Sequence, residues 1–303
     1  MQVAMIGLGR MGMNMAKRLL TGGHQVIAYN RSPDKTDRLK AEGAVGAYAL
    51  EQVVVKMKAP RTVWLMLPAG KAVDEHIDRL KALLSPDDIV IDGGNTFYKD
   101  DLRRAGFLAQ NGIRFMDVGV SGGIWGLTAG YCMMIGGEKK TYRQLEPLFK
   151  TLAPENGYLY CRPVGAGHFV KMVHNGIEYA LMQAYGEGFE ILEKSDYADG
   201  FNYSQIAGLW NQGSVIRSWL LELLERAFKG DARLSRIQGF VEDSGEGRWT
   251  VEQAIATEVP AEVIALSLFR RFRSRQQDTF TDKVIAALRR EFGGHAVVST
   301  DKK

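Results

Sequence analysis

Two patterns of apolar and polar positions follow one another along the chain. Through about residue 163 short apolar runs alternate with helical stretches; beyond it strand signals fade and helical periodicity dominates. Gln2-Val3-Ala4-Met5-Ile6 reads as a strand, residues 13–20 as a helix stopped by Gly22-Gly23, and Gln25-Val26-Ile27-Ala28-Tyr29 as a second strand. Further apolar runs end in turn residues: 62–67 at Pro68-Ala69-Gly70, 89–91 at Asp92-Gly93-Gly94-Asn95, 115–120 at Ser121-Gly122-Gly123, and 131–135 at Gly136-Gly137. Strands separated by helices predict an α/β fold whose doubly wound, mostly parallel sheet binds ligands beyond the carboxyl ends of its strands. Asn95 and the Ser121-Gly122-Gly123 turn stand at such ends, although these residue types are also ordinary turn formers.

The later pattern predicts a long helix to about residue 195, then helices over 203–211, 214–228, 250–258, 261–274 and 279–291. The chain is therefore expected to divide into a Rossmann-type dinucleotide-binding domain, residues 1–163, and an all-α substrate and oligomerisation domain, residues 164–303.

The first strand runs into Gly7-Leu8-Gly9-Arg10-Met11-Gly12 and then a helix. In that frame the glycines allow a tight turn, close approach of backbone to a pyrophosphate and close helix–strand packing, while the helix N-terminus offers N–H groups to the anion. An NAD-preferring site usually has Asp or Glu after the second strand; this chain has Asn30-Arg31-Ser32. A guanidinium can grip a 2′-phosphate that a carboxylate would repel, so NADP is favoured over NAD.

The second helical stretch opens with His168-Phe169-Val170-Lys171-Met172-Val173-His174-Asn175-Gly176-Ile177-Glu178-Tyr179. On a helix Lys171, His174, Asn175 and Glu178 fall at i, i+3, i+4 and i+7, one polar stripe with Tyr179 at its margin, on an otherwise apolar cylinder. Such a stripe is either a solvated face with chance pairs or a buried acid/base array. Its place at the junction of a dinucleotide domain and a helical domain favours the second, as the lining of an active cleft.

Composition narrows the class. The 303 residues are 46% hydrophobic, enough for two cores, and the net charge of +4 suits anionic small ligands better than nucleic acid. Cys132 and Cys161 are the only cysteines, so no disulfide framework is expected, and a reducing compartment is. Residues 1–20 read as a glycine-turn unit rather than a signal peptide, and no apolar run reaches the roughly 20 residues of a membrane span. A cytoplasmic enzyme without membrane or nucleic-acid partners is expected. The 5 histidines are scattered, at 24, 76, 168, 174 and 295, so no metal site is expected either.

These pieces together resemble the decarboxylating 6-phosphogluconate dehydrogenases, within the β-hydroxyacid dehydrogenase superfamily. The matching segments are Gly7 to Gly12, Asn30-Arg31-Ser32, Asp92-Gly93-Gly94-Asn95, Val120-Ser121-Gly122-Gly123 and the run from Gly167 to Tyr179. Gly247-Arg248-Trp249-Thr250 and Phe292-Gly293-Gly294-His295 continue the match, which spans nearly the whole chain and looks like the shorter bacterial form. Ile124-Trp125 stands where longer members have two glutamates, Pro68 where they have a lysine near the cofactor, and Arg248 where they have a phosphate-binding lysine.

The resemblance implies oxidative decarboxylation of 6-phosphogluconate to ribulose 5-phosphate, as in gluconate utilisation and the pentose phosphate pathway. It implies catalysis by Lys171 and Glu178 with His174 and Asn175, and substrate binding by Asn95, Ser121, Gly122, Gly123, Tyr179, Arg248 and Arg271. Leu67, Pro68, Ala69 and Asn95 join the glycine turn and residues 30–32 around the coenzyme, NADP or NAD. Lys171 would need to be neutral; lowering an unperturbed pKa of about 10.4 by about three units corresponds to roughly 4 kcal/mol. Arg289 and His295 match residues that reach a neighbouring subunit's site, implying a homodimer or homotetramer with shared active sites. Arg270, Arg273 and Arg275 read instead as a solvated helix face. The alternative is a β-hydroxyacid dehydrogenase for a small 3-hydroxy acid, which has no use for Glu178 or several phosphate-binding cations.

Overall fold

A computed structural model describes residues 1–298 of the chain. The first pattern becomes β1 (Gln2–Ile6), α1 (Arg10–Thr21), β2 (Gln25–Tyr29), α2 (Pro33–Ala41), β3 (Val45–Ala47), α3 (Leu50–Val55), β4 (Thr62–Leu65) and α4 (Lys71–Leu83). It continues through β5 (Ile89–Asp92), α5 (Tyr98–Ala109), β6 (Arg114–Ser121), α6 (Gly126–Ala129), β7 (Cys132–Gly137), α7 (Lys139–Leu152) and β8 (Tyr158–Arg162). These strands make one eight-stranded sheet in the order β3-β2-β1-β4-β5-β6-β7-β8. Neighbours from β3 to β6 are parallel, β7 is antiparallel to β6, and β8 is parallel to β7. Chain order reverses beside β1, so β2 and β4 flank it, and this is where open α/β sheets take ligands.

Both faces of the sheet are covered, which is why its strands read as continuous apolar runs. Met5, Met15, Leu19, Trp64 and Phe149 pack in one layer; Ile6, Ile27, Leu50, Leu65 and Ile77 pack in the other. β3 and β8 escape the hydrophobic pattern. β3 is only 3 residues long, and β8 is a half-exposed edge strand whose polar tips break the run.

The helical part comprises α8 (Ala166–Glu193), α9 (Tyr203–Trp210), α10 (Trp219–Gly230), α11 (Glu246–Ala256), α12 (Glu262–Ser274) and α13 (Phe280–Gly293). Phe189, Tyr203, Ala207, Leu221 and Phe228 form its core. Caps shift two starts from the periodicity. The Ser218 side chain accepts the Leu221 N–H, so α10 begins after it rather than near 214, while Gly245 at φ 105° releases α11 four residues ahead of the expected 250. Among the described residues no helix is long and apolar enough to cross a membrane.

The chain forms two compact units, dividing between Gly176 and Ile177. The physical reason is a cap supplied by the sheet. The Asp117 carboxylate on β6 accepts the Gly165 N–H at 2.7 Å and the His168 N–H at 2.9 Å. That carboxylate fixes the start of α8 to β6, so three turns of the helix belong to the sheet unit.

Candidate active site

The nucleotide side is built at the carboxyl ends of β1, β2, β4 and β5. Gly7 has φ +94°, and a Cβ there would lie 2.4 Å from the Met66 carbonyl oxygen. Gly12 sits so close beneath it that a Cβ would meet the Gly7 oxygen at 2.1 Å. Gly9, in contrast, faces open space, and as the N-cap of α1 it makes no side-chain cap bond. Those N–H groups and the helix dipole are thus presented where an anion fits. Leu8 is buried behind the turn, Arg10 is exposed at the start of α1, and Met11 is half-buried.

Asn30 ties the turn to the end of β2. Its Oδ1 accepts the Leu8 N–H at 2.9 Å and its Nδ2 donates to the Ser32 carbonyl at 3.2 Å. Arg31 and Ser32 are exposed beyond it. A recess of about 320 Å³ beside the glycine turn is lined by Leu8, Gly9, Arg10, Met13, Lys17, Lys35, Arg38 and Ile124, with Glu42 pairing Lys17 at 2.6 Å. Basic side chains and an uncapped helix start suit the pyrophosphate of a dinucleotide. Leu67, Pro68 and Ala69 follow β4, and exposed Asn95 follows β5. Asn95 stands in a turn held from below, where Asp92 accepts the Gly94 N–H at 3.0 Å and the Thr96 hydroxyl at 2.8 Å.

The stripe on α8 is the buried face of its helix, the reverse of a solvated one. Lys171 is 6% and Asn175 7% exposed, whereas apolar Val170 and Ile177 are 41% and 49% exposed. Lys171 is seated against β6: a Cβ on Gly119 would lie 2.3 Å from the Lys171 Cβ. Only glycine permits that approach, and it brings Lys171 to the strand end that continues into Ser121, Gly122 and Gly123. His174 is half-buried, with its Nδ1 2.9 Å from the Asn175 Oδ1. Glu178 follows half-buried on the same helix.

In the helical unit Arg271 lies over the Tyr179 ring, its guanidinium carbon 3.4 Å from the centroid, and donates to the Glu242 carbonyl at 2.7 Å. The Tyr179 hydroxyl accepts the Ser244 N–H at 3.2 Å. Arg248 carries a partner that sequence reasoning missed: Asp243, which it grips at 2.6 and 3.2 Å and which also takes Arg275 at 2.8 Å. The hydrogen bond from Arg248 foremost, with that from Arg275 and both positive charges, holds the Asp243 carboxyl below its usual range despite partial burial. Tyr179, Arg248 and Arg271 are thus brought together around Gly247. Arg273 bonds Asp282 and Thr279, and Arg270 is exposed. Arg289 stands exposed on α13 and His295 exposed just past it.

Sequence reasoning also missed a buried charged cluster under β5 and β6: Asp92, Asp101, Arg104, Asp117 and His168. Its signal was present, since Asp92 and Asp117 interrupt otherwise apolar strand runs and sit opposite one another in register. A charge inside a strand buried on both faces requires a partner.

A dinucleotide turn and a buried lysine at a neighbouring strand end define a nicotinamide-dependent oxidoreductase. Residues 2–163 match the NAD binding domain of 6-phosphogluconate dehydrogenase, and residues 167–303 match the C-terminal domain of 6-phosphogluconate dehydrogenase. The chain belongs to the 6-phosphogluconate dehydrogenase family. YqeC of Bacillus subtilis, whose name assigns it provisionally to the same activity, is 48% identical over 303 residues, all of both chains. The NAD(+)-dependent, decarboxylating 6-phosphogluconate dehydrogenase of Haloferax volcanii is 41% identical over 99% of this chain and 100% of its own. Among solved structures, Plasmodium falciparum 6-phosphogluconate dehydrogenase, described apo, with its cofactor NADP+ and with its substrate 6-phosphogluconate, superposes with a TM-score of 0.81. It is 28% identical, and the match covers 100% of this chain and 67% of that one.

Proposed function

We propose that the chain oxidises and decarboxylates 6-phosphogluconate to ribulose 5-phosphate and CO₂ with a nicotinamide coenzyme. The observation that carries this reading is Lys171, buried on the inward stripe of α8 and seated against Gly119 two residues before Ser121. Family membership over nearly the whole chain supports the substrate and separates this reading from a dehydrogenase of small 3-hydroxy acids.

Lys171 takes the proton of the substrate 3-hydroxyl as C3 is oxidised. The nicotinamide, when bound, supplies the hydride acceptor for that step. The new ketone is β to the carboxylate, so the C1–C2 bond breaks with loss of CO₂ and its electron pair moves toward the C3 oxygen, which Lys171 reprotonates. Glu178 then delivers a proton to the former C2 of the enediol, giving ribulose 5-phosphate. Asn95, Ser121, Gly122, Gly123, His174 and Asn175 hold the sugar acid. Tyr179, Arg248 and Arg271 hold the phosphate, with Arg248 shared between it and Asp243.

NADP is the favoured coenzyme. Arg31 and Ser32 stand exposed just past β2, with Lys35 and Arg38 in the basic recess beside the glycine turn, and these would hold a 2′-phosphate. The NAD(+)-dependent Haloferax relative makes this the point to test. A second copy of the chain completes the assembly as a homodimer or homotetramer. Every described side chain of the 14-residue α13 is exposed, Phe280, Ile285 and Leu288 among them, and an isolated helix of that length is marginal in water. A partner covering that face would receive Arg289 and His295.

The test is reduction at 340 nm with 6-phosphogluconate, run with NADP and NAD in parallel while CO₂ is trapped. Coenzyme reduction with stoichiometric CO₂ is expected, faster with NADP. Arg31→Ala should lower kcat/KM for NADP roughly 100-fold, the weight of about 2–3 kcal/mol of charged hydrogen bonding, and leave NAD nearly unchanged. Turnover of a small 3-hydroxy acid with none of 6-phosphogluconate would overturn the assignment.

A further inference from the structure

The buried cluster missed by the sequence lies one helical turn before the proposed base. His168 and Asp101 are 1% and 0% exposed, and His168 Nδ1 meets Asp101 Oδ2 at 2.7 Å. Asp101 comes from α5, His168 from the second residue after Ala166 in α8, and Asp117 from β6. Asp117 engages backbone at Gly165 and His168, so the first turn of α8 is gripped twice: main chain by β6, side chain by α5. The pair is not fully satisfied, for His168 Nε2 and Asp101 Oδ1 are buried without a hydrogen-bond partner among the described residues. A buried, incompletely satisfied ion pair is a poor stabiliser compared with apolar packing of the same volume; what such a pair gives is one fixed geometry. Lys171 is the i+3 neighbour of His168, over the same turn, and the helix is packed so closely on β6 there that a Cβ on Gly119 would lie 2.3 Å from that of Lys171.

We infer that His168 and Asp101 are positioning residues that fix the rotation of the first turns of α8 and so aim the Lys171 amine at the reacting atoms. The inference rests on the reading of Lys171 as the base. It is a claim about orientation: coenzyme and substrate are held by other residues, so their affinities are untouched. Burial first, together with the negative charges of Asp117 and Asp92 and against the charge and hydrogen bond of His168, lifts the Asp101 carboxyl to about 7, which agrees with a site kept for geometry rather than for cheap ionisation.

Two substitutions test it. His168→Leu removes the donor; His168→Asn places an amide N–H where Nδ1 stood. The expected result for His168→Leu is a loss in kcat of roughly 100-fold, the scale of a misplacement of about 1 Å, with KM for 6-phosphogluconate and the dissociation constant of the coenzyme within twofold. His168→Asn should recover most of that kcat. Hydrogen–deuterium exchange should show faster exchange confined to the first turns of α8 in His168→Leu. If His168→Leu fails to fold, Asp101→Asn, which keeps shape and one hydrogen bond, is measured against Asp101→Leu with the same expectation. Unchanged kcat in the Leu variants, or a common loss of kcat and of both affinities that Asn does not rescue, would overturn the inference. Absence of wild-type turnover would instead sink the assignment of the reaction, and the exchange pattern would still report on the clamp.

Discussion

Between Ala166 and Gly176, α8 turns His168, Lys171 and Asn175 inward and leaves Val170 at the surface; from Ile177 to Glu193 it leaves Ile177, Leu181, Met182 and Ile191 exposed while Tyr179 and Phe189 are buried. One helix thus carries two different reasons for burial. In its first part polar groups are inside because specific partners hold them: Asp117 on the backbone, Asp101 on His168, Gly119 against Lys171. In its second part hydrophobicity is only half used, since one apolar face packs on the helical core and another stays in water. Buried polarity that is costly to desolvate points to chemistry, and unburied apolar surface points to a partner.

The sharpest way to break that contrast is at Lys171. Lys171→Met keeps the length and packing of the side chain but removes its proton-accepting nitrogen. It should lower kcat by about 10³-fold or more, the scale of a lost general base, while coenzyme binding read by fluorescence stays as it was. Retention of a tenth of the activity would make the inward stripe a structural feature only.

Gly119 offers a smaller effect from the other side of the same contact. An alanine there would put its Cβ 2.3 Å from that of Lys171, so the helix must shift. Gly119→Ala should lower kcat roughly 100-fold and stability by about 1–3 kcal/mol, measured by steady-state kinetics and denaturant unfolding. Wild-type values for both would show that the seat is looser than the geometry implies.

The outward part is tested at Ile177. If a second copy covers this face, Ile177→Glu should cost about 2 kcal/mol of association, some thirtyfold in the dissociation constant, seen by sedimentation velocity across a dilution series. Unchanged association would place the interface on another face, such as α13.

Much of this was legible in the sequence. The glycine turn, the strand ends at Asn95 and Ser121, and the α8 stripe depend on local spacing, and periodicity reports local spacing directly. What escaped depends on contacts between distant segments. Asp117 and His168 are 51 positions apart, and Asp101 and His168 are 67 apart, so no window contains the pair. The Asp243 partner of Arg248 is only five residues away, but it lies before the α11 start, in a segment with no periodic signal. The edge strand β8 is hidden for another reason: its half-exposed residues follow neither an apolar run nor a clean alternation. β3 is too short for any pattern.

The smallest expected effect concerns pH, and it separates the clamp from ordinary surface charge. Burial lowers the proton affinity of His168, but the charge and hydrogen bond of Asp101, with the charges of Asp92 and Asp117, outweigh it and lift His168 from 6.5 to about 9. Asp101 is itself lifted from 3.8 to about 7. Both groups bind a proton more tightly folded than unfolded, so both contributions shrink as pH rises. That of Asp101 is present below its unfolded value and lost by about pH 7; that of His168 is complete below about 6.5 and lost as pH passes 9. Above neutrality only the His168 window remains, with a slope of at most about 1.4 kcal/mol per pH unit. Melting temperatures of the wild type and of a double variant, Asp101→Asn with His168→Asn, taken from pH 7 to 9, isolate it, because both members of the coupled pair are then absent. The wild type should lose its advantage over the variant by roughly 2–4 °C per pH unit in that range. A constant difference between the two curves would mean that His168 does not titrate with the fold, and the Asp101 pair would then be a hydrogen bond without a charge.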